Sequence, residues 1–334
     1  VGLQYPPEWI LEDPESRFLN QHGSDPTGHW VNMVFSQKMR EEAATYLAQV
    51  NRDLDLNNVW AIRIGTSNGG EVGYPAENAG DQANGYWAYD DNAQGRASDL
   101  PSTLKPTPFP DWRPGDATYN GQPFTPDMAR QWYTWYYSAL ADDLNWQIAT
   151  YRNLGYTGSL HLVMAGLGVR PDDEQGAYRV LLNGTAGDSN GGMGIGASYH
   201  EILPEITNKQ NVVVDISSVD DSSSYSAAQR GTNLCQPGDL SVPLSDPQID
   251  QWSSTRWISY NARANGLQTI GENPDDSATI PRYGLTMMQD SLQLMDSCGL
   301  RGLLWAHDRD LYDGQHGVTL NDYASLIAQY KGRP

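Results

Sequence analysis

The chain has 334 residues and a formal net charge of −20 at pH 7, with a pI of about 4.4. A chain this acidic repels phosphate backbones and anionic lipid surfaces, so neither nucleic acid nor a membrane is expected as a partner. No apolar run reaches the ~18 residues of a transmembrane helix, and the length suffices for one large α/β barrel or two smaller domains.

The chain contains two cysteines, Cys235 and Cys298. They could form one disulfide or remain two buried thiols, and the sequence alone leaves both open. No Cys/His cluster has the spacing of a zinc site, so no metal is expected. An acidic surface with few lysines is compatible with a secreted protein.

Capping signals and apolar residues at helical spacing predict five helices. In chain order they run from Ser36 to Leu54, from Thr125-Pro126 to near Gly155, from Asp246-Pro247 to Gly266, from about Ile280 to Cys298, and from Thr319 to about Tyr330. Thr125 and Asp246 are both followed by proline at the first helical position, which is typical of a helix start.

Short apolar runs alternate with these helices and predict strands. They are Val1–Tyr5, Trp60–Gly65, Leu160–Ala165, Val212–Ile216, Leu267–Gly271 and Leu300–Trp305. Alternating strands and helices indicate βαβ units and a parallel sheet. We therefore expect an α/β fold of the (β/α)8 TIM-barrel type, although six strands fall short of the eight that close a barrel. One catalytic domain is predicted over residues 1–334, with long active-site loops at 73–124, 166–198 and 217–246.

Two of the predicted strands end in a glycine-rich turn that presents a glutamate. They are Val59-Trp-Ala-Ile-Arg-Ile-Gly-Thr-Ser-Asn-Gly-Gly-Glu71 and Gly266-Leu-Gln-Thr-Ile-Gly-Glu272. Barrel strands converge at their carboxyl ends, and glycoside hydrolysis needs two carboxylates there. Glu71 is thus the candidate acid/base, and Glu272 the candidate nucleophile or base. The alternatives are a solvated loop glutamate at 71 and a capping or salt-bridged residue at 272.

Aromatic and polar residues near these turns are candidates for contacts with a sugar. Tyr74 and Trp87 could supply an apolar wall beside Glu71, which would raise the pKa of that acid. Trp305 could form the floor of a sugar site or fill the interior of a barrel. His307 and Asp308 could hydrogen-bond to sugar hydroxyls.

The order of these segments resembles clan A glycoside hydrolases, and most of all the family 42 β-galactosidases. Tyr5-Pro-Pro-Glu-Trp9-Ile-Leu resembles the exit of the family's third strand, and Tyr86-Trp87-Ala-Tyr-Asp90 resembles a later aromatic stretch. The resemblance places Glu71 at the fourth strand tip as acid/base, Glu272 at the seventh as nucleophile, and Trp305 at the eighth. It also implies that the first two strands lie in an upstream segment or a partner chain.

One further departure and a second resemblance accompany this mapping. The family has Asn before the acid/base where this chain has Gly70, so Asn68 or another group would hold the sugar 2-hydroxyl. The motifs Gly-Gly-Glu71-Val-Gly-Tyr-Pro and Gly-Glu272-Asn273-Pro are also similar to those of the inverting β-amylases, which implies Asn273 in substrate binding.

The sequence therefore predicts a glycoside hydrolase that acts on an oligo- or polysaccharide and needs no metal or organic cofactor. The preferred reading is a retaining, β-galactosidase-like enzyme. An inverting, β-amylase-like glucan hydrolase and a non-catalytic carbohydrate-binding barrel remain as alternatives.

Overall fold

A computed structural model describes residues 6–26, 30–66, 70–76, 78–80, 84–166, 168–183, 189–274, 284–306, 308–313 and 318–331. The chain divides into two compact units. The first consists of Val1–Val163 and Val169–Val212, and the second of Met164–Gly168 and Val213–Pro334. One domain over 1–334 stays a prediction, since a chain with two compact units can still fold as one domain.

The first unit combines helices with a parallel strand pair and a small hairpin. Its elements are α1 (Glu8–Leu11), α2 (Gln37–Leu54), β1 (Ala61–Ile64), β2 (Thr118–Tyr119), β3 (Gln122–Pro123), α3 (Pro126–Asn153), β4 (Ser159–Met164), α4 (Pro171–Arg179), α5 (Ser189–Gly194) and α6 (Tyr199–Ile202). Strand β1 pairs in parallel with β4, with Ile62 opposite Leu160, and β2 pairs antiparallel with β3.

The two long helices of this unit start where the capping signals predict. The Ser36 hydroxyl accepts a hydrogen bond from the Met39 N–H at 3.1 Å, and the Thr125 hydroxyl accepts one from the Met128 N–H at 3.2 Å. Each cap satisfies an N–H group that has no partner within the helix. Both predicted helix starts are confirmed.

The core of the first unit is aromatic and centres on Tyr136 of α3. Its ring stacks on Tyr74 with centroids 4.0 Å apart and on Trp132 with centroids 4.9 Å apart. Its hydroxyl donates to the carbonyl of Gly194 and accepts from the N–H of Trp87. A buried tyrosine thus keeps partners for its polar edge while its faces fill the core.

The second unit holds three parallel strands and their connecting helices. Its elements are β5 (Val212–Ile216), α7 (Ser222–Arg230), α8 (Ser254–Ala264), β6 (Gln268–Glu272), α9 (Leu285–Cys298), β7 (Leu303–Leu304), α10 (Asp310–Asp313) and α11 (Leu320–Lys331). The strand β6 pairs in parallel with both β5 and β7, with Gly271 opposite Ile216 on one side and Leu303 on the other.

The complete (β/α)8 barrel is a wrong prediction. The described residues contain a five-stranded parallel sheet, made of β1, β4, β5, β6 and β7, and their other two strands form the antiparallel hairpin. A closed barrel needs eight parallel strands. Between β1 and α3, the described residues form mainly turns and this hairpin. The strand predicted at Val1–Tyr5 lies outside the described residues.

Several predicted boundaries also differ. The Asp246-Pro247 signal starts only a short 3-10 helix, Pro247–Gln251, because Trp252 is extended; Ser253 then caps α8 by accepting from the Arg256 N–H at 3.2 Å. The predicted long loops are partly helical, since 166–198 contains α4 and α5 and 217–246 contains α7. Within the described residues, no helix is both long enough and apolar enough to cross a membrane.

Candidate functional site

Glu71 lies in a tightly closed turn that follows β1. The Thr66 N–H donates to the Glu71 carbonyl at 2.9 Å, and the Thr66 hydroxyl hydrogen-bonds to both the N–H and the carbonyl of Gly73. A Cβ on Gly65 would lie 1.9 Å from the Gly70 carbonyl oxygen, so only glycine fits at position 65. The backbone that carries Glu71 is therefore fixed, while its side chain is half-buried.

Main-chain hydrogen bonds also fix the residues that follow Glu71. The Val72 N–H donates to the Val163 carbonyl at 2.7 Å, and the Tyr74 N–H donates to the Ile195 carbonyl at 2.8 Å. These bonds attach the turn to β4 on one side and to the segment after α5 on the other. A functional carboxylate is best placed on such a rigid support.

A buried polar network supports the turn and was not predicted. The Gln147 amide donates to the Gly65 carbonyl at 2.9 Å and to the Asp143 carboxylate at 3.0 Å, and Arg40 lies 3.9 Å from the other Asp143 oxygen. Burial raises the pKa of Asp143 to about 6, although the Arg40 charge acts to lower it. In the sequence, this network could have been predicted from the position of Asp143, which lies beside Leu144 among the apolar residues of its helix.

Because of this raised pKa, Asp143 is expected to destabilise the fold as pH rises. Its ordinary pKa is 3.8, so between pH 4 and 6 the folded chain retains a proton that the unfolded chain has lost. The stability from this proton is complete below about pH 4 and is lost as pH rises through about 6, with a magnitude on the order of 3 kcal/mol. Asp90, whose pKa burial also raises to about 6, contributes in the same direction.

Urea unfolding of Asp143→Asn over this pH range tests the expectation. The variant should show a smaller fall in unfolding free energy with rising pH than the unmodified chain. Asp127→Asn, at an exposed position on the same helix, is the matched control and should keep the full slope. An unchanged slope in Asp143→Asn would contradict the assignment.

The aromatic residues predicted beside Glu71 are core residues. Tyr74 is 2% exposed, and its hydroxyl donates to the Tyr136 carbonyl at 2.7 Å. Trp87 is completely buried. Tyr136 contacts both residues and so brings them together within the first unit. Their predicted contacts with a substrate stay predictions, and Asn68 lies outside the described residues.

Glu272 is the last residue of β6 in the second unit. Its carbonyl accepts from the Val219 N–H at 2.8 Å, and its Cα lies opposite that of Leu304 in the strand pairing. A Cβ on the preceding Gly271 would lie 2.4 Å from a methyl carbon of Val219, so this position also has room only for glycine. The Glu272 side chain is half-buried.

The neighbouring predicted residues hold the end of β7. The buried Asn273 side chain accepts from the Ala306 N–H at 2.6 Å and so ties the chain after β6 to the chain after β7. Trp305 is 8% exposed and packs in one apolar cluster, whose other buried members are Met287, Met288, Leu311 and Val318. Of the two roles predicted for Trp305, this packing corresponds to filling the interior of the fold and not to forming the floor of a sugar site. Asp308 is exposed, and His307 lies outside the described residues.

Each predicted carboxylate thus belongs to its own structural unit. The first unit positions Glu71 after β1, and the second unit positions Glu272 at the end of β6 beside Asn273. No protein-family model matches the chain, and no curated protein matches it. Any argument for a chemical role of the two glutamates therefore depends on their positions in the structure.

Proposed function

We propose that this chain is a glycoside hydrolase in which Glu71 is the general acid/base and Glu272 the nucleophile or base. One observation supports this most: each glutamate stands at the carboxyl end of a parallel strand, half-buried, on main chain held by hydrogen bonds from Thr66 and Val219 respectively. Carboxyl ends of parallel strands are where α/β enzymes carry their catalytic side chains.

The proposed reaction divides two tasks between two carboxyl groups. A glycosidic oxygen is a poor leaving group until it is protonated, and Glu71 supplies that proton. Glu272 either attacks the anomeric carbon, which gives retention, or deprotonates an attacking water, which gives inversion. Retention on a β-galactoside is the preferred version because the clan resemblance covers most of the chain.

Hydrolysis assays with Glu272→Gln test the proposal. The full chain is incubated with aryl β-galactosides, other aryl glycosides and soluble α-glucans, and released sugar is quantified. We expect the variant to lower kcat by about 10³-fold or more on any substrate that the unmodified chain cleaves. Glu205→Gln, which changes an exposed glutamate, should leave the rate unchanged.

The initial product configuration, read by proton NMR, separates retention from inversion. Binding of these glycans without turnover, unchanged in Glu71→Gln and Glu272→Gln, would replace the proposal by the carbohydrate-binding alternative. Hydrolysis that persists at the full rate in Glu272→Gln would exclude this residue from catalysis.

A further inference from the structure

Three side chains of the first unit converge on one point between α4 and α6. The His200 Nε2 lies 3.2 Å from a Glu174 oxygen and 3.7 Å from a Glu201 oxygen, and the three atoms all lie within 4.8 Å of one another. Ligands that surround Zn²⁺ tetrahedrally at 2.0–2.1 Å are about 3.3 Å apart. Two of the three separations are therefore close to those of a zinc site.

Neighbouring hydroxyl groups hold the outer atoms of all three side chains. The Ser198 hydroxyl donates to the outer oxygen of Glu174 at 2.6 Å and lies 3.3 Å from His200 Nδ1. The Tyr137 hydroxyl donates to the outer oxygen of Glu201 at 2.5 Å. Metal ligands commonly have such outer partners, which orient the ligand and set the histidine tautomer.

This arrangement determines what His200 presents to the two carboxylates. Since the Ser198 proton is donated to Glu174, the Ser198 oxygen can accept from Nδ1–H of His200. In the neutral imidazole, Nε2 then carries a lone pair directed at two carboxylate oxygens. The His200 and Glu174 side chains are only 6% and 4% exposed, so this repulsion is poorly screened. The other neutral tautomer would donate from Nε2 to one carboxylate oxygen only, whereas a metal ion between these atoms would contact all three side chains.

Charge balance and a nearby hydroxyl favour the metal ion. A divalent cation cancels the two carboxylate charges, whereas an imidazolium leaves one negative charge at a largely buried site. The Tyr133 hydroxyl is completely buried and makes no hydrogen bond of normal geometry within the described residues. The Ser198 hydroxyl and the Glu174 carboxylate both lie near this hydroxyl. A water molecule on the cation would give this hydroxyl a partner.

A hydrolytic Ser-His-Glu triad does not fit the same residues. Ser198 is completely buried, and its proton is already donated to Glu174. A nucleophilic serine needs an accessible oxygen and a base that accepts its proton. The cluster is therefore unsuited to acyl transfer.

We propose that Glu174, His200 and Glu201 bind one Zn²⁺ ion, with a water molecule as the fourth ligand. Imidazole together with carboxylates suits Zn²⁺, whereas Mg²⁺ and Ca²⁺ prefer oxygen ligands alone. The ion would join α4 to α6 and stabilise the first unit. This site is separate from the two proposed catalytic glutamates and does not depend on them. The short spacing of His200 and Glu201, with Glu174 far upstream, matches none of the usual zinc motifs.

Metal analysis of the tag-free full chain tests the proposal. The protein is stripped with a chelator, dialysed against Zn²⁺ and analysed by elemental mass spectrometry and thermal unfolding. We expect one Zn²⁺ per chain and a higher Tm with Zn²⁺ than with Mg²⁺ or Ca²⁺. His200→Asn and Glu174→Gln should lose both effects, and Tyr137→Phe should weaken Zn²⁺ binding about 10- to 100-fold.

Two further variants keep the test decisive. Glu201→Gln changes the most exposed ligand and should lose Zn²⁺ while retaining the circular dichroism of the folded chain. Glu205→Gln, on the same segment but outside the cluster, should bind Zn²⁺ normally. Absence of Zn²⁺ from the unmodified chain, or equal binding by Glu201→Gln, would overturn the proposal and leave His200 as a neighbour of Glu174 without a metal ion between them.

Discussion

Replacing Glu71 with Gln is expected to lower kcat by about 10²- to 10⁴-fold on glycosides with poor leaving groups, such as natural disaccharides. An amide cannot protonate the departing oxygen. A glycoside with a strongly acidic phenol as leaving group needs little protonation, so its cleavage should be much less affected in a retaining mechanism. This dependence on the leaving group distinguishes a lost general acid from a lost nucleophile.

Steady-state kinetics on a series of aryl glycosides measures the effect. Glu272→Gln serves as the comparison and should lower kcat regardless of the leaving group. The Thr66 N–H donates to the main-chain carbonyl of Glu71, which Glu71→Gln retains, so the variant should keep this bond of the turn. Equal losses across the whole series would argue that Glu71 is not the acid.

Local signals explain why some elements could be predicted from the sequence. Ser36 and Thr125 cap their helices through atoms only three residues away, and the strand Val212–Ile216 is apolar at every position except Asp215. Signals of this kind depend little on the tertiary context. The Asp246-Pro247 signal was local as well, but the extended Trp252 ends that turn, and its ring lies under the Arg256 guanidinium at 4.3 Å. The same guanidinium pairs with Asp239, 17 residues upstream, so contacts beyond the local signal fix the chain there.

The number of strands could not be predicted in the same way. A barrel closes only when every strand finds a neighbour, which depends on residues far apart in the chain. The segment after β1 is instead attached through main-chain bonds such as that from Tyr74 to Ile195, 121 residues later. Single-strand patterns contain no information about such attachments.

The candidate site residues also fall into two groups, those that a local sequence signal selects and those that only the fold brings together. Glu71 and Glu272 could be selected because a glycine-rich turn follows an apolar run, and Glu71 does follow a parallel strand while Glu272 ends one. Glu174 and His200 lie 26 residues apart, and only the folding of α4 against its neighbours brings them within 3.2 Å. Tyr74 was selected because aromatic residues suit sugars, yet an aromatic core uses the same residue types.

Removing the disulfide should produce the largest loss of stability. Cys235 and Cys298 are bonded, and the alternative of two free thiols is thereby settled within the second unit. They are 63 residues apart in the sequence, and a cross-link of this span restricts the unfolded chain by about 4 kcal/mol in the chain-entropy treatment. Cys235→Ser/Cys298→Ser should lose about this much of its unfolding free energy.

Urea unfolding of the double variant and of the unmodified chain with and without a reductant measures this loss. The reduced chain should match the variant, since both lack the same cross-link. Ser297→Ala, next to Cys298 in α9, is the control and should change the unfolding free energy little, because its hydroxyl makes only long hydrogen bonds, to the Leu294 carbonyl at 3.3 Å and to the Cys298 Sγ at 3.8 Å. Both sulfur atoms are buried, so a loss below about 1 kcal/mol would mean that the unfolded chain already keeps these segments together.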